Sequence, residues 1–151
     1  MTANDVIALL GLEPLAGEGG MWARTWRDAH GSAIYFLLRP GDFSAIHRLD
    51  VAELWHHYAG APVEMLLLDP DDGIRRPRLG DDLAAGERPV VPVDAGVWMA
   101  AATTGEWSLV GTTTAPPFDP AGFELARADD LVSRYPDAAF DITRFIREEP
   151  P

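Results

Sequence analysis

The chain has 151 residues with 12 basic and 24 acidic side chains, so its formal net charge is −12, and every basic residue is an arginine. The absence of lysine and cysteine from the sequence excludes Schiff-base catalysis, P-loop phosphate binding, thiolate nucleophiles, disulfides and cysteine-ligated zinc. The acidic balance argues against nucleic acid and anionic membrane surfaces as partners, because both are bound mainly through cationic side chains.

The first predicted element is a short helix over about residues 6–10. Asn4 and Asp5 are candidate capping residues at its start, and Gly11 is a candidate stop. No basic, apolar leader and no run of about 18 apolar residues is present, so we expect a cytoplasmic protein without a membrane span. The length and an apolar fraction of 47% predict one domain over residues 1–151.

From residue 21 to about residue 115 the pattern predicts the short strands of a barrel. Runs rich in Val, Ile, Leu, Trp and Tyr alternate at close intervals with Gly, Pro and Asp. No long amphipathic helix separates these runs, which disfavours a parallel α/β sheet and favours an antiparallel sandwich or barrel. Beyond Pro116 and Pro117 the apolar spacing becomes helical, which predicts a helical C-terminal segment over about residues 120–147.

The most informative motif lies in residues 41–60. Gly41, His47, Glu53 and Gly60 stand at the spacings of the first motif of the cupin superfamily, which this stretch resembles. A second cupin motif corresponds to residues 94–99 and is less complete. Its glycine is kept, whereas its proline position holds Asp94 and its histidine position holds Met99.

Further segments extend the resemblance over residues 10–136, nearly the whole chain. They include Glu18-Gly19-Gly20, residues 33–38, Ala95-Gly96-Val97-Trp98 and Val110-Gly111-Thr112-Thr113. Together they resemble a small, largely uncharacterised branch of the cupins. The resemblance implies a mainly β fold, the antiparallel double-stranded β-helix or jelly-roll barrel of the sugar-epimerase-like type. It also implies a homodimer with a small-molecule pocket in the barrel, and it implies no particular reaction.

The metal positions of the cupin motifs are half filled. The resemblance implies three histidines and one glutamate for a metal-binding member, whereas Leu49 and Met99 hold two of the four positions here. A thioether is a poor ligand for hard or borderline ions. We therefore predict no cofactor; if a divalent metal binds, His47 and Glu53 are its expected ligands.

The strand pattern around Glu53 predicts the lining of the pocket. Alternate strand residues share a face, so Glu53, Trp55 and His57 are expected to point together into the barrel. Histidine transfers protons near neutral pH, and His47 adds a second imidazole. The predicted site residues are His47 and Glu53 as catalytic residues, with Arg24, Tyr35, Trp55, His57, Trp98 and Met99 as ligand-binding residues.

These residues favour one function and leave alternatives open. The leading hypothesis is a metal-independent isomerase, epimerase or lyase acting on a small polar metabolite, such as a sugar nucleotide or a biosynthetic intermediate. His47 would transfer the proton and Glu53 would orient it or stabilise its charge. One alternative is a ligand-binding cupin without catalysis. The other is a metal-dependent oxygenase, in which His56 or His57 replaces a missing ligand.

Overall fold

The computed structural model describes residues 1–147 and consists mainly of antiparallel strands. The strands are β1 (Glu13–Pro14), β2 (Met21–Arg27), β3 (Ser32–Leu38), β4 (Ser44–Leu49), β5 (Glu53–Gly60), β6 (Val63–Asp69), β7 (Gly73–Arg75), β8 (Arg78–Leu79), β9 (Val90–Val93), β10 (Trp98–Thr103), β11 (Ser108–Thr114) and β12 (Phe123–Leu125). The helices are α1 (Ala3–Leu10), α2 (Ala128–Arg134) and α3 (Ala139–Arg144).

The strands form two sheets that face each other. The first sheet has the order β1-β2-β3-β11-β5-β9, and the second has the order β12-β4-β10-β6-β7 with β8 beside β6. Strands far apart in the chain are neighbours in both sheets, as in a jelly roll. The predicted antiparallel jelly-roll barrel is therefore confirmed.

The main core lies between the sheets. Inward-facing side chains such as Phe36, Trp55, Leu67 and Val110 are almost fully buried there. Because side chains alternate along a strand, each of these strands also presents a second, outward face.

The helices cover parts of those outward faces. Val6 of α1 packs with Leu37 against the first sheet, while Leu131 and Ile142 of the C-terminal helices pack with Leu66 against the second. None of the helices within residues 1–147 is long and apolar enough to cross a membrane.

The N-terminal helix starts earlier than its sequence indicates. Thr2 is the N-cap residue and forms a reciprocal capping box with Asp5, so the helix begins at Ala3. It ends, as predicted, at Gly11, which adopts a left-handed conformation with φ 63°.

The C-terminal segment differs from the predicted helix over about 120–147. Its first part contains a short 3₁₀ helix (Pro120–Gly122) and strand β12, and the α-helices begin only at Ala128. The apolar residues Phe123 and Leu125 stand two apart, which is the period of a strand, and Leu125 pairs with His47 of β4. This strand therefore extends the second sheet of the barrel beside β4.

Candidate functional site

A cavity of about 340 Å³ opens between the two sheets. Its size lies at the small end of the range for ligand pockets and suits a single ring with substituents. The apolar part of its wall consists of Leu15, Trp22, Ala33, Ile34, Phe36, Leu49, Trp55, Phe118, Pro120 and Phe123. The polar part consists of Glu18, Arg24, Arg27, Ser32, His47, Glu53, Thr112 and Thr114.

His47 lies on β4 with its side chain almost fully buried. Its Nδ1 is 2.7 Å from the carbonyl oxygen of Ala45, which can only accept a hydrogen bond. Nδ1 therefore carries the proton in the neutral ring, and Nε2 keeps a lone pair. Phe123 stacks on the imidazole with 5.3 Å between ring centroids, which restricts its rotation.

Glu18 is the carboxylate that approaches the free nitrogen of His47. Its Oε1 lies 3.8 Å from His47 Nε2 and accepts a hydrogen bond of 2.6 Å from the Ser44 hydroxyl. The sequence pattern assigned orientation of His47 to Glu53 and gave Glu18 no role. The structure instead places Glu18 where it stabilises a positive charge on the imidazole.

The turn that carries Glu18 is held by the C-terminal segment. Arg147 donates through Nε to the Glu18 carbonyl oxygen at 3.1 Å and through Nη2 to Asp42 Oδ1 at 2.5 Å. The other oxygen of Asp42 accepts from the Gly20 amide at 3.0 Å. These bonds join residues distant in sequence and fix the position of the Glu18 backbone.

Glu53 is a buried carboxyl group in the same cavity. Burial raises its pKa from an ordinary 4.5 to about 7, although the nearby His47 lowers it; the Glu18 carboxylate raises it further. Near neutral pH the group is therefore present in both protonation states. In its protonated form it can donate a hydrogen bond to a ligand oxygen.

Trp55 and Met99 were both expected to line the pocket, and only Trp55 does. The indole Nε1 donates to the sulfur of Met99 at 3.4 Å. Met99 is 1% exposed and packs in the core beside this indole. The sulfur of Met99 is therefore the hydrogen-bond acceptor for the buried indole N–H of Trp55.

Tyr35 and Trp98 lie on outward faces, contrary to the expectation that they line the pocket. Tyr35 alternates with the cavity residues Ile34 and Phe36, and its ring packs against Tyr58 at 6.1 Å. Trp98 packs with the cluster beneath the C-terminal helices, on the opposite face of β10 from its neighbour Met99. Tyr35 and Trp98 thus occupy the outward-facing positions of their strands, where successive side chains alternate between the two faces.

His57 also lies outside the cavity wall. It follows Trp55 by two residues on β5, which moves it about 7 Å further along the strand. Its Nε2 lies 3.3 Å from the Ala61 carbonyl oxygen. His56 faces outward, with Nε2 at 3.1 Å from the Thr113 hydroxyl.

Several lining residues have no role in the sequence prediction. Thr112 and Thr114 alternate with buried Val110 on β11, so the period-2 rule would have found both. Arg27 joins the predicted Arg24 at the cavity, and no simple alternation places it there.

The residues present do not fit the metal site that the cupin motifs imply. Leu49 contributes an apolar side chain to the wall, and the Met99 sulfur already accepts the bond from Trp55. Within residues 1–147 no group of three or more His, Asp or Glu side chains is arranged to hold a metal ion. The wall contains Glu18, His47 and Glu53, but these three side chains are not grouped as metal ligands.

Two solved structures match almost the entire chain. A protein from Shewanella oneidensis is 34% identical with a TM-score of 0.91, and the match covers 99% of both chains. A hypothetical protein from Leishmania major is 28% identical with a TM-score of 0.90, and the match covers 98% of this chain and 100% of that one.

A more distant match shares the fold alone. A dTDP sugar isomerase from Desulfovibrio desulfuricans is 19% identical with a TM-score of 0.56, covering 77% of this chain and 79% of that one. None of the curated proteins is a significant match. The family model described as Cupin superfamily (DUF985) matches residues 4–126. The chain therefore belongs to the DUF985 family of the cupin superfamily.

Proposed function

We propose that this protein is a metal-independent isomerase, epimerase or lyase that moves a proton on a small polar metabolite. The observation that carries the proposal is the fixed ring of His47. Its Nδ1 is engaged by the Ala45 carbonyl, which leaves Nε2 as an acceptor inside an enclosed cavity, next to the Glu18 carboxylate. Because the Glu18 carboxylate lies next to the lone pair of Nε2, protonation of His47 to an imidazolium is favoured.

The proposed step removes a proton from a carbon adjacent to a carbonyl group. The C–H electron pair shifts to form an enolate, and the proton bonds to His47 Nε2. Glu18 stabilises the imidazolium, and protonated Glu53 donates a hydrogen bond to the enolate oxygen. Delivery of a solvent proton to the opposite face of the same carbon gives an epimer. In an α-hydroxy carbonyl compound, return of the proton from His47 to the carbonyl carbon, with the hydroxyl proton passing to the other oxygen, gives an isomer. Departure of a β-substituent with its bonding electron pair gives a lyase product.

The dTDP sugar isomerase with this fold supports testing keto-sugar nucleotides first. A cavity of about 340 Å³ suits the sugar ring of such a ligand, with the remainder projecting through the opening. Simple ketoses and keto acids form the second group of candidates, because they carry the same acidic C–H.

The test is solvent deuterium incorporation into these compounds in D₂O, followed by mass spectrometry. We expect the native protein to label at least one compound and His47→Gln to lower the rate about 100-fold or more. His56→Gln, on the outward face of the other sheet, is the matched control and should keep the native rate. Equal labelling by native protein and His47→Gln would remove His47 from the reaction.

The alternative of a ligand-binding protein without catalysis has a distinct outcome. A compound would raise the melting temperature of the native protein, yet no deuterium would enter any compound of the panel. That result would keep the cavity as a binding site and reject the proton transfer.

A further inference from the structure

We propose that Arg24 and Arg27 form an anion subsite at the cavity mouth, which holds a phosphoryl or carboxylate group of the ligand. The assignment of this group to a substrate rests on the proposed function. The anion binding itself is a property of the two arginines and can be measured without any reaction.

The two arginines reach the same face through an irregularity in β2. Residues three apart on a regular strand point to opposite faces. Here the register shifts between Arg24 and Trp26, so that Arg24 pairs with Ile34 and Arg27 pairs with Ser32. Both partners, two apart on β3, line the cavity. The extra residue, Thr25, thus restores a common inward face, as a β-bulge does at a barrel rim.

Both guanidinium groups remain available to a ligand. Neither forms an ion pair with a carboxylate in residues 1–147, and both side chains belong to exposed residues at the cavity. Arg27 donates through Nη1 to the Phe118 carbonyl oxygen at 2.6 Å, which fixes its direction and leaves its other N–H groups available. Acidic residues outnumber basic ones two to one, yet neither of these two cavity arginines has a carboxylate partner in residues 1–147, which leaves both charges available to an external anion.

Most of the other arginines have an acidic partner. Those that form ion pairs are Arg48, Arg75, Arg76, Arg78, Arg127, Arg144 and Arg147. The guanidinium groups of these arginines are already paired with carboxylates of the same chain. The pair at the mouth differs in facing the cavity, where two guanidinium groups can donate charge-assisted hydrogen bonds to one oxyanion.

The charges within the cavity also determine the orientation in which the ligand binds. The Glu18 carboxylate lies beside His47 and repels an anionic group there, whereas Arg24 and Arg27 attract it. The anionic end therefore stays at the mouth, and the uncharged part with the acidic C–H enters toward His47. The net charge of −12 opposes anions elsewhere on the surface, which keeps binding local.

The experiment titrates the native protein with four anions by isothermal titration calorimetry at low ionic strength. Inorganic phosphate and pyrophosphate represent a phosphoryl group, and acetate and succinate represent a carboxylate. We expect the native protein to bind either the phosphates or the carboxylates. The double variant Arg24→Gln/Arg27→Gln should bind the same anions at least tenfold more weakly. The group that binds tighter identifies the chemistry of the ligand.

Controls separate a local site from general charge. Arg134→Gln removes one exposed arginine on α2 and should bind like the native protein. Circular dichroism and melting temperature establish that each variant is folded. His47→Gln should keep anion binding. Absence of labelling by the native protein, with anion binding retained, would reject the proposed reaction and leave the subsite standing. No binding of any anion, or equal binding by the double variant, would overturn the subsite.

Discussion

At the residue scale, Glu53 shows how burial changes the chemistry of a carboxyl group. Its side chain is inside the barrel, where the charged form loses hydration, and its pKa rises to about 7. Unfolding returns the group to water and to its ordinary value of 4.5. The folded state therefore binds the proton more tightly than the unfolded state.

This difference predicts a pH-dependent effect of Glu53→Gln on stability. Below pH 4.5 the group is protonated in both states and costs nothing, whereas above pH 7 ionisation destabilises the native fold by about 3 kcal/mol. The stabilising effect of Glu53→Gln, relative to the native protein, should thus grow by about 2–3 kcal/mol between pH 5 and pH 8. Urea unfolding at both pH values measures it. An equal difference at the two pH values would contradict the raised pKa, and Glu13→Gln at an exposed position controls for general charge.

The protonation site of His47 is a second expectation at this scale. Because Nδ1 donates to the Ala45 carbonyl, the neutral ring should carry its proton on Nδ1 and a lone pair on Nε2. Long-range ¹H–¹⁵N correlation spectra at pH 8, assigned with His47→Gln, distinguish the two tautomers. A proton on Nε2 would remove the acceptor on which the proposed reaction depends.

At the element scale, strand alternation explains which cavity residues the sequence could predict. Glu53 and Trp55 stand two apart on a regular part of β5, so the period of a strand places both in the barrel. Tyr35 and Trp98 could not be placed by their motifs, since a motif does not show which face of the strand they occupy. Arg27 depends on a bulge, which is defined by the pairing of β2 with β3 and leaves no clear pattern in the sequence.

Contacts between segments far apart in the chain are the second feature of the site that the sequence could not predict. Glu18 reaches His47 because the turn that holds it bonds to Asp42 and to Arg147, at the far end of the described chain. Nothing in the local pattern of residues 18–20 indicates those partners.

This turn gives a prediction for Gly19→Ala. Gly19 has φ 101°, and a Cβ there would lie 2.3 Å from the Phe43 carbonyl oxygen, so the backbone must shift. Gly41 is the matched control, since its φ is 82° and its Cβ would meet nothing within 4 Å. Both alanine variants carry the cost of a left-handed residue, about 1–2 kcal/mol. Gly19→Ala should lose clearly more stability than Gly41→Ala in urea unfolding, and equal losses would show that the turn is not tightly packed.

At the scale of the whole molecule, charge and cavity act in opposite directions on a ligand. The net charge of −12 repels anions, while two arginines without acidic partners in residues 1–147 face the one cavity that also holds His47. The family and the barrel were predictable because their motifs run along the chain. The ligand was not, since its recognition depends on side chains that only the folded barrel brings together.

We propose that proton transfer in this cavity needs His47 and no metal ion. The most direct measurement is deuterium incorporation into a labelled compound of the panel by protein dialysed against EDTA. We expect the dialysed native protein to keep its full rate and His47→Gln to lose it. Loss of labelling after dialysis, with recovery on addition of Mn²⁺ or Fe²⁺, would contradict the claim.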